Sequence, residues 1–100
     1  MSVLRLNEFT ALPGQFEALT AQFEAILPII RACEGCERCE LLLKFADGNS
    51  DDERLIILEV WRDIEAHQNA AKAVPPERFQ AVMALLAAPP KGQYYKAIPA

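Results

Sequence analysis

The segment Glu53 to Trp61 constrains the fold more than any other, because it predicts a strand that is apolar on both faces. The two alternating sets are Leu55, Ile57 and Trp61 on one face, and Ile56, Leu58 and Val60 on the other. A strand of this kind lies inside a sheet and is covered on both sides. One layer of helices, which is what a 100-residue chain can supply, covers only one face. A second copy of the chain is the simplest cover for the other face, so we predict a homodimer.

The other predicted elements follow from changes in apolar periodicity and from turn residues. Strands are predicted at Met1 to Phe9, Arg38 to Ala46 and Tyr94 to Ile98, and helices from Gln15, from the N-cap Asp63 to about Ala73, and after Pro75-Pro76. The polar segment 47–52 predicts a hairpin loop, and Pro28 predicts a kink or break near Leu27 in the first helix. This order predicts an α+β, ferredoxin-like βαββαβ fold in one domain, residues 1–100, with an antiparallel sheet and helices on one face.

The charge of the chain argues against several classes of partner. The formal net charge is −4 and the pI is about 4.9, so the surface is poorly suited to nucleic acid or to an anionic membrane. The longest apolar runs, 41–43 and 55–58, are far shorter than the roughly 20 residues that span a bilayer. The first residues lack the apolar core of a signal peptide, and we therefore expect a cytoplasmic protein.

Three cysteines, Cys33, Cys36 and Cys39, have a spacing that invites a metal-site interpretation. A fourth ligand is missing unless His67 comes close in space. If Cys36 and Cys39 both belong to the second strand, their odd spacing puts them on opposite faces. We therefore expect no metal, and we interpret Cys33 as a helix-end thiol and the other two cysteines as small packed thiols.

Four segments in order, RLNEFTALPGQFEAL, PIIRACEGCERCELL, EVWRDIEAHQNAAK and LLAAPPKGQYY, resemble the antibiotic biosynthesis monooxygenase domain of the quinol monooxygenase kind. The resemblance covers nearly the whole chain and implies a dimeric α+β barrel, in which two ferredoxin-like sheets pack face to face. It also implies oxygenation of a small electron-rich aromatic substrate with O₂, without metal, flavin or other cofactor, in a pocket between sheet and helices. One departure is Ala70, where similar sequences often carry a second histidine.

Three residues are the candidates for the site, each with a structural alternative. His67, the only histidine, shares a predicted helix face with Ile64 and Ala71 that should look at the sheet, and an imidazole there can take a phenolic proton or hold a phenolate. We assign it as the base, Asn7 as a donor to developing negative charge, and Trp61 as a pocket wall. The alternatives are a half-exposed helix histidine, a strand-end asparagine in water and a core tryptophan.

Neighbouring polar residues are given structural roles. Arg5 shares the face of Asn7 and can pair with an anion, although a lone arginine is more typical of a surface charge. Tyr94 and Tyr95 should point to opposite faces of the last strand, one toward the helices and one toward the partner subunit, and we interpret both as packing residues.

Three functions are compatible with these residues. The first is the cofactor-independent monooxygenase just described. The second is haem degradation, because Asn7 and Trp61 look like two pocket residues of a neighbouring haem-degrading family, but the axial histidine of that family falls at Ala71 here. The third is a non-enzymatic dimer that binds a small hydrophobic ligand or serves as a stress-related scaffold, which Ala70 favours.

Overall fold

In the computed structural model, residues 1–44 and 54–98 are described. Their strands and helices follow in chain order: β1 Val3–Thr10, α1 Phe16–Arg31, β2 Cys36–Leu43, β3 Arg54–Trp61, α2 Ile64–Ala70, α3 Pro76–Met83 and β4 Lys91–Tyr95. The predicted loop 47–52, together with Phe45, Ala46 and Glu53 of the predicted strand ends, lies outside the described residues. The order of elements confirms the predicted fold class, including the helix pair before the last strand.

The described strands form one antiparallel sheet with the order β2-β3-β1-β4. Both β2 and β1 pair with β3, and β4 pairs with the free edge of β1. The third strand is therefore central, as its apolar pattern predicted, and the first strand is central as well. This is the ferredoxin-like order, in which the two central strands are separated in sequence by a helix and an edge strand.

Burial along β3 separates its two faces residue by residue. Leu55, Ile57 and Trp61 are buried on the inner face, which the helices cover. Leu55 and Ile57 join the core contributed by α1 and by the segment around α3. Ile56 and Val60, on the outer face, are half-buried in the single chain. The two apolar faces of the predicted strand are thus confirmed, and the outer one carries no helix of the described chain.

Helix α1 continues through Pro28 to Arg31. The predicted break near Leu27 is therefore wrong. Proline deprives the carbonyl four residues earlier of its helical donor, and here both Pro28 and Glu24 are exposed, so water can replace the lost hydrogen bond.

A bulge at the start of β2 changes which way two cysteines point. Cys36 pairs with Trp61 and Cys39 pairs with Glu59, with a register shift between Cys36 and Arg38. The extra residue brings both thiols to the inner face, where both pack with the core. The expectation that they lie on opposite faces is wrong, because it assumed an unbroken alternation.

The C-terminal elements are shorter or earlier than predicted. Helix α2 ends at Ala70, about three residues early, and β4 occupies Lys91–Tyr95 instead of Tyr94 to Ile98. The position of β4 is set by strand pairing, because Lys91 to Tyr95 are the residues that pair with Glu8 to Leu4 of β1. No helix among residues 1–44 and 54–98 has the length and apolar character needed to cross a membrane.

Candidate active site

A single polar row crosses the inner face of the sheet. Cross-strand partners place Cys39 of β2 opposite Glu59, Glu59 opposite Arg5 of β1, and Arg5 opposite Tyr94 of β4. Residues directly opposite in an antiparallel sheet have side chains close enough to interact. The row therefore places a carboxyl group, a guanidinium group and a phenol side by side on a face that is otherwise mostly apolar.

Glu59 is the buried centre of this row. Glu59 is only 4% exposed, and it is the one buried charged residue in the part of the chain that the structure describes. The Trp61 indole Nε1–H donates to Oε1 over 2.7 Å, and the Asn7 amide Nδ2–H donates to Oε2 over 3.3 Å. Burial raises the pKa of Glu59, while the hydrogen bond from Trp61, the charge of Arg5 and the hydrogen bond from Asn7 oppose that rise.

His67 reaches the row from α2. The helix starts at Asp63, whose carboxylate accepts the Ala66 amide over 2.8 Å and so caps the first turn. From there the His67 ring places Nδ1 2.5 Å from the Tyr94 hydroxyl and Nε2 3.9 Å from Glu59 Oε1. Burial, and then the charge of Arg5, lower the pKa of His67, so its imidazole is neutral at pH 7.

Aromatic rings hold the imidazole on two sides. The His67 ring meets the rings of Trp61 and Tyr94 edge-on, with centroid distances of 5.6 and 5.3 Å. The Arg5 guanidinium in turn lies 4.5 Å from the centroid of the Tyr94 ring, a cation–π distance. The imidazole is therefore held by contacts from β3 and β4, and Arg5 of β1 acts on it through Tyr94.

Gly92 of β4 has no side chain, and the side chains of Arg5 and Asn7 occupy the space where its Cβ would be. It lies opposite Asn7 in the register, and a Cβ at this position would collide with Arg5 Nη2 and Asn7 Oδ1. Arg5 Nε is buried and makes no hydrogen bond within the described part of the chain. The absence of a side chain at Gly92 thus shapes the polar row.

An apolar cavity of about 280 Å³ lies between the sheet and the helices and ends at this polar row. Its lining comprises Asn7, Phe9, Phe23, Ile26, Ile30, Ile57, Glu59, Trp61, His67, Ala70, Ala71, Val74, Phe79, Val82, Met83 and Pro90. The predicted site residues Asn7, Trp61 and His67 therefore line one cavity. Ile64, expected on the face of His67, is exposed instead.

Two residues of this site have roles that the sequence interpretation missed. Glu59 carried a signal, because it shares the alternation of Leu55, Ile57 and Trp61 and so had to be an acid on the inner face. Tyr94 was interpreted as packing, but its hydroxyl contacts His67. That contact depends on how β4 lies relative to α2, which no local pattern shows.

None of the three cysteines belongs to the cavity lining. Cys39 is buried, and burial with the nearby Glu59 raises its pKa to about 12, so its thiol is not a nucleophile at neutral pH. Burial also raises the pKa values of Cys33 and Cys36. Within residues 1–44 and 54–98, no three His, Cys, Asp or Glu side chains are grouped so that they could hold a metal ion.

Comparison with known proteins gives a family model and many solved structures. Residues 2–85 match the family model for antibiotic biosynthesis monooxygenase. A Pseudomonas aeruginosa protein of known structure is 25% identical, with a TM-score of 0.83 over 98% of this chain and 95% of that one. The cofactor-independent oxygenase SnoaB from Streptomyces nogalater is 22% identical, with a TM-score of 0.79 over 99% and 95% of the two chains.

A third structure is described as a putative antibiotic biosynthesis monooxygenase from Nitrosomonas europaea. It is 14% identical, with a TM-score of 0.84 over 97% of this chain and 99% of that one. At this identity the likeness extends to the fold alone. No curated protein matches the chain.

Proposed function

The chain belongs to the antibiotic biosynthesis monooxygenase family, and from that premise we propose that it is a cofactor-independent monooxygenase of an electron-rich phenol or quinol. In such a reaction one atom of O₂ enters the substrate, the other leaves as water, and the substrate supplies the electrons. The observation that carries the proposal is the apolar cavity whose lining brings together Asn7, Trp61 and His67. SnoaB, which shares the fold, is described as a cofactor-independent oxygenase.

The chemistry needs a phenolate in a dry place, since an anion gives an electron to O₂ more readily than a neutral phenol. His67, as a neutral imidazole, meets the substrate hydroxyl and takes its proton or holds the phenolate. Asn7 lines the cavity and donates one Nδ2 hydrogen to Glu59, so its second Nδ2 hydrogen is the one that can donate to developing negative charge. Trp61 forms a flat wall beside the ring. The mostly apolar lining favours a site with little water once a substrate fills it, which strengthens each of these polar contacts.

The cavity size favours a small substrate. Its volume of about 280 Å³ lies at the lower end of small-molecule sites, which run from roughly 300 to 1,000 Å³. We therefore propose substrates of one or two fused rings.

Oxygen uptake with a panel of one- and two-ring quinols and naphthols tests this function. Ala70→Leu, which adds bulk to the cavity lining, should abolish the uptake by blocking the ring, whereas Ala73→Leu, three residues later and outside the lining, should retain it. Uptake that is unaffected by Ala70→Leu would place the reaction elsewhere. A panel without any responsive compound would contradict the oxygenase proposal.

A non-enzymatic ligand-binding dimer remains the second candidate, because Ala70 itself lines the cavity. Similar sequences often have a histidine there, so this cavity has one imidazole fewer. Tight binding of a naphthol without oxygen uptake would favour this candidate. Haem degradation is less favoured, since Ala71 lines the cavity and offers no axial ligand; added haemin should produce no shift of the Soret band.

We also propose that the chain acts as a homodimer through the outer face of the sheet. Leu42 and Tyr95, at the two edges of that face, are 41% and 49% exposed. The central residues Ile56, Leu58 and Val60 are only half-buried in the single chain. Glu8, Arg38 and Glu40 lie opposite these three residues on the neighbouring strands and border them on the same face. An apolar centre with a charged border is typical of a protein interface.

A further inference from the structure

We propose that Glu59 takes the proton of the substrate, and that one substrate hydroxyl is held between Glu59 Oε1 and the Nε2–H of His67. In this step the O–H bond of the substrate breaks, the proton passes to Glu59 Oε1, and the electron pair stays on the phenolate oxygen. His67 then donates from Nε2 to that oxygen. The inference rests on the proposed oxygenase function and names which group is the base.

The distance between the two groups carries the argument. His67 Nε2 and Glu59 Oε1 are 3.9 Å apart, too far for a direct hydrogen bond. A third oxygen can lie about 2.8 Å from both, with an angle of roughly 90° between the two contacts. Both residues line the cavity, so the oxygen that completes the arrangement can belong to a molecule bound there.

The hydrogen-bond directions agree with this arrangement. The Tyr94 hydroxyl, 2.5 Å from His67 Nδ1, can donate to that nitrogen. A neutral imidazole that accepts at Nδ1 carries its hydrogen on Nε2, the nitrogen that faces the carboxylate. Nε2 is then a donor and Glu59 Oε1 an acceptor, which is what a hydroxyl placed between them requires.

The surroundings of Glu59 suit a base that is ionised before substrate binds and protonated after it. The indole of Trp61 and the amide of Asn7 both donate to the carboxylate. The charge of Arg5, on the neighbouring strand, also favours the ionised form, whereas the Cys39 thiol on the other side remains neutral. Burial raises the pKa of Glu59, which makes it a stronger base than an exposed carboxylate.

A pair of ligands that differ only in the hydroxyl hydrogen tests the inference without turnover. We would measure the dissociation constants of 2-naphthol and 2-methoxynaphthalene by calorimetry, under argon, for the wild type and Glu59→Gln. The wild type should prefer the naphthol by about tenfold or more, because a hydrogen bond to a charged group is among the stronger ones. Glu59→Gln should lose this preference and bind the methoxy compound as before, and the matched control Glu17→Gln, on the exposed start of α1, should keep it.

Each outcome separates this inference from the proposed function. A preference that persists in Glu59→Gln overturns the role of Glu59 and leaves the oxygenase proposal standing if oxygen uptake is observed. A wild type without preference also overturns the inference. Should Glu59→Gln fail to fold, His67→Gln is the second variant: the paired contact predicts the same loss of preference, and a preference retained there overturns it.

Discussion

A glutamate on the inner face of a central strand defines the site at the scale of the residue. Glu59 occupies a position where the alternation of β3 demands an apolar side chain, and it is nonetheless buried. Burying a carboxyl group is costly unless it is hydrogen-bonded, and Trp61 and Asn7 supply those bonds. Residues that break a local rule in this way are expected at functional sites, and Glu59 is such a residue.

Removal of the imidazole tests the site at this scale. His67→Ala should lower oxygen uptake with a responsive quinol by roughly 10²-fold or more, because it removes the group that meets the substrate hydroxyl. The melting temperature at neutral pH should hardly change, because the ring is half-buried and borders a cavity. Equal rates for variant and wild type would remove His67 from the mechanism.

The pH dependence of stability gives a second test of His67. Its pKa is lowered in the folded chain from the ordinary 6.5, so the unfolded chain binds a proton at a higher pH than the folded one. The free energy of unfolding should therefore fall as pH drops below about 6.5. His67→Gln should lack this contribution, as measured by denaturant titrations between pH 7.5 and about 5. Glu59, whose pKa is raised, contributes in the opposite sense in both proteins, so the difference between them isolates His67.

Gly92 supports the same site without touching a ligand. A Cβ there would collide with Arg5 and Asn7, so Gly92→Ala should displace both side chains. Because the atoms in the way are the ends of flexible side chains, we expect only a small loss of stability, of about 1 kcal/mol or less, together with weaker naphthol binding. Gly14→Ala is the control for a glycine replacement away from the site. A Cβ at Gly14 meets no neighbouring atom, so this variant only strains a backbone with positive φ. Naphthol binding should be retained in that control; its loss in both variants would indicate a general effect on folding.

At the scale of the elements, two deviations from the regular pattern decide where side chains point. The bulge in β2 turns Cys36 toward the same face as Cys39. Helix α1 passes through Pro28 because the affected carbonyl is on its exposed side. Both features follow from the tertiary surroundings of the segment, since propensity alone predicted alternation in one case and a break in the other.

The cap of α2 is the element-scale feature that fixes His67. Asp63→Ala should lower the free energy of unfolding by about 1 kcal/mol, because the Ala66 amide loses its acceptor. Asp63→Asn should retain most of the stability, since an asparagine oxygen also caps. Urea titrations of the three proteins at one concentration measure this. If the alanine variant is as stable as the wild type, the cap does not stabilise α2.

At the scale of the whole molecule, the sheet has one face covered by helices and a second face, with an apolar centre, that has no cover among the described residues. The first face contains the core and the cavity. The second contains the outward set of β3 and the exposed Leu42 and Tyr95. Apolar surface of this extent is stabilised by removal from water, which a second sheet can provide.

Sedimentation tests the proposed dimer. We expect a dimer at micromolar concentration that buries on the order of 2,000 Å². Leu58→Glu, at the centre of the outer face, should shift it to monomer or unfold it, because a charge would be buried in the interface. Leu12→Glu is the matched control: Leu12 is 38% exposed and lies outside the sheet, so this variant should remain a dimer. A folded wild-type monomer of 11.1 kDa would contradict the proposal.

The sequence by itself determined the fold class and the central position of β3. Both faces of β3 are apolar in the sequence, and only the structure shows that Leu55, Ile57 and Trp61 face the helices. Alternation along β3 and the helical stripe of α1 are local patterns, and burial follows such patterns wherever the backbone is regular. The same alternation placed Asn7 on the face of Phe9, where the cavity lies. The family was also predicted correctly, from segments that extend over most of the chain.

Only the tertiary structure decided how the polar groups meet. Glu59, Arg5 and Tyr94 belong to three strands that are far apart in sequence, and their common row depends on strand order and register. His67 joins them through the position of α2, and its two ring nitrogens acquire partners from β3 and β4. Contacts of this kind arise from long-range pairing, and a local pattern carries no information about which distant residue will lie opposite.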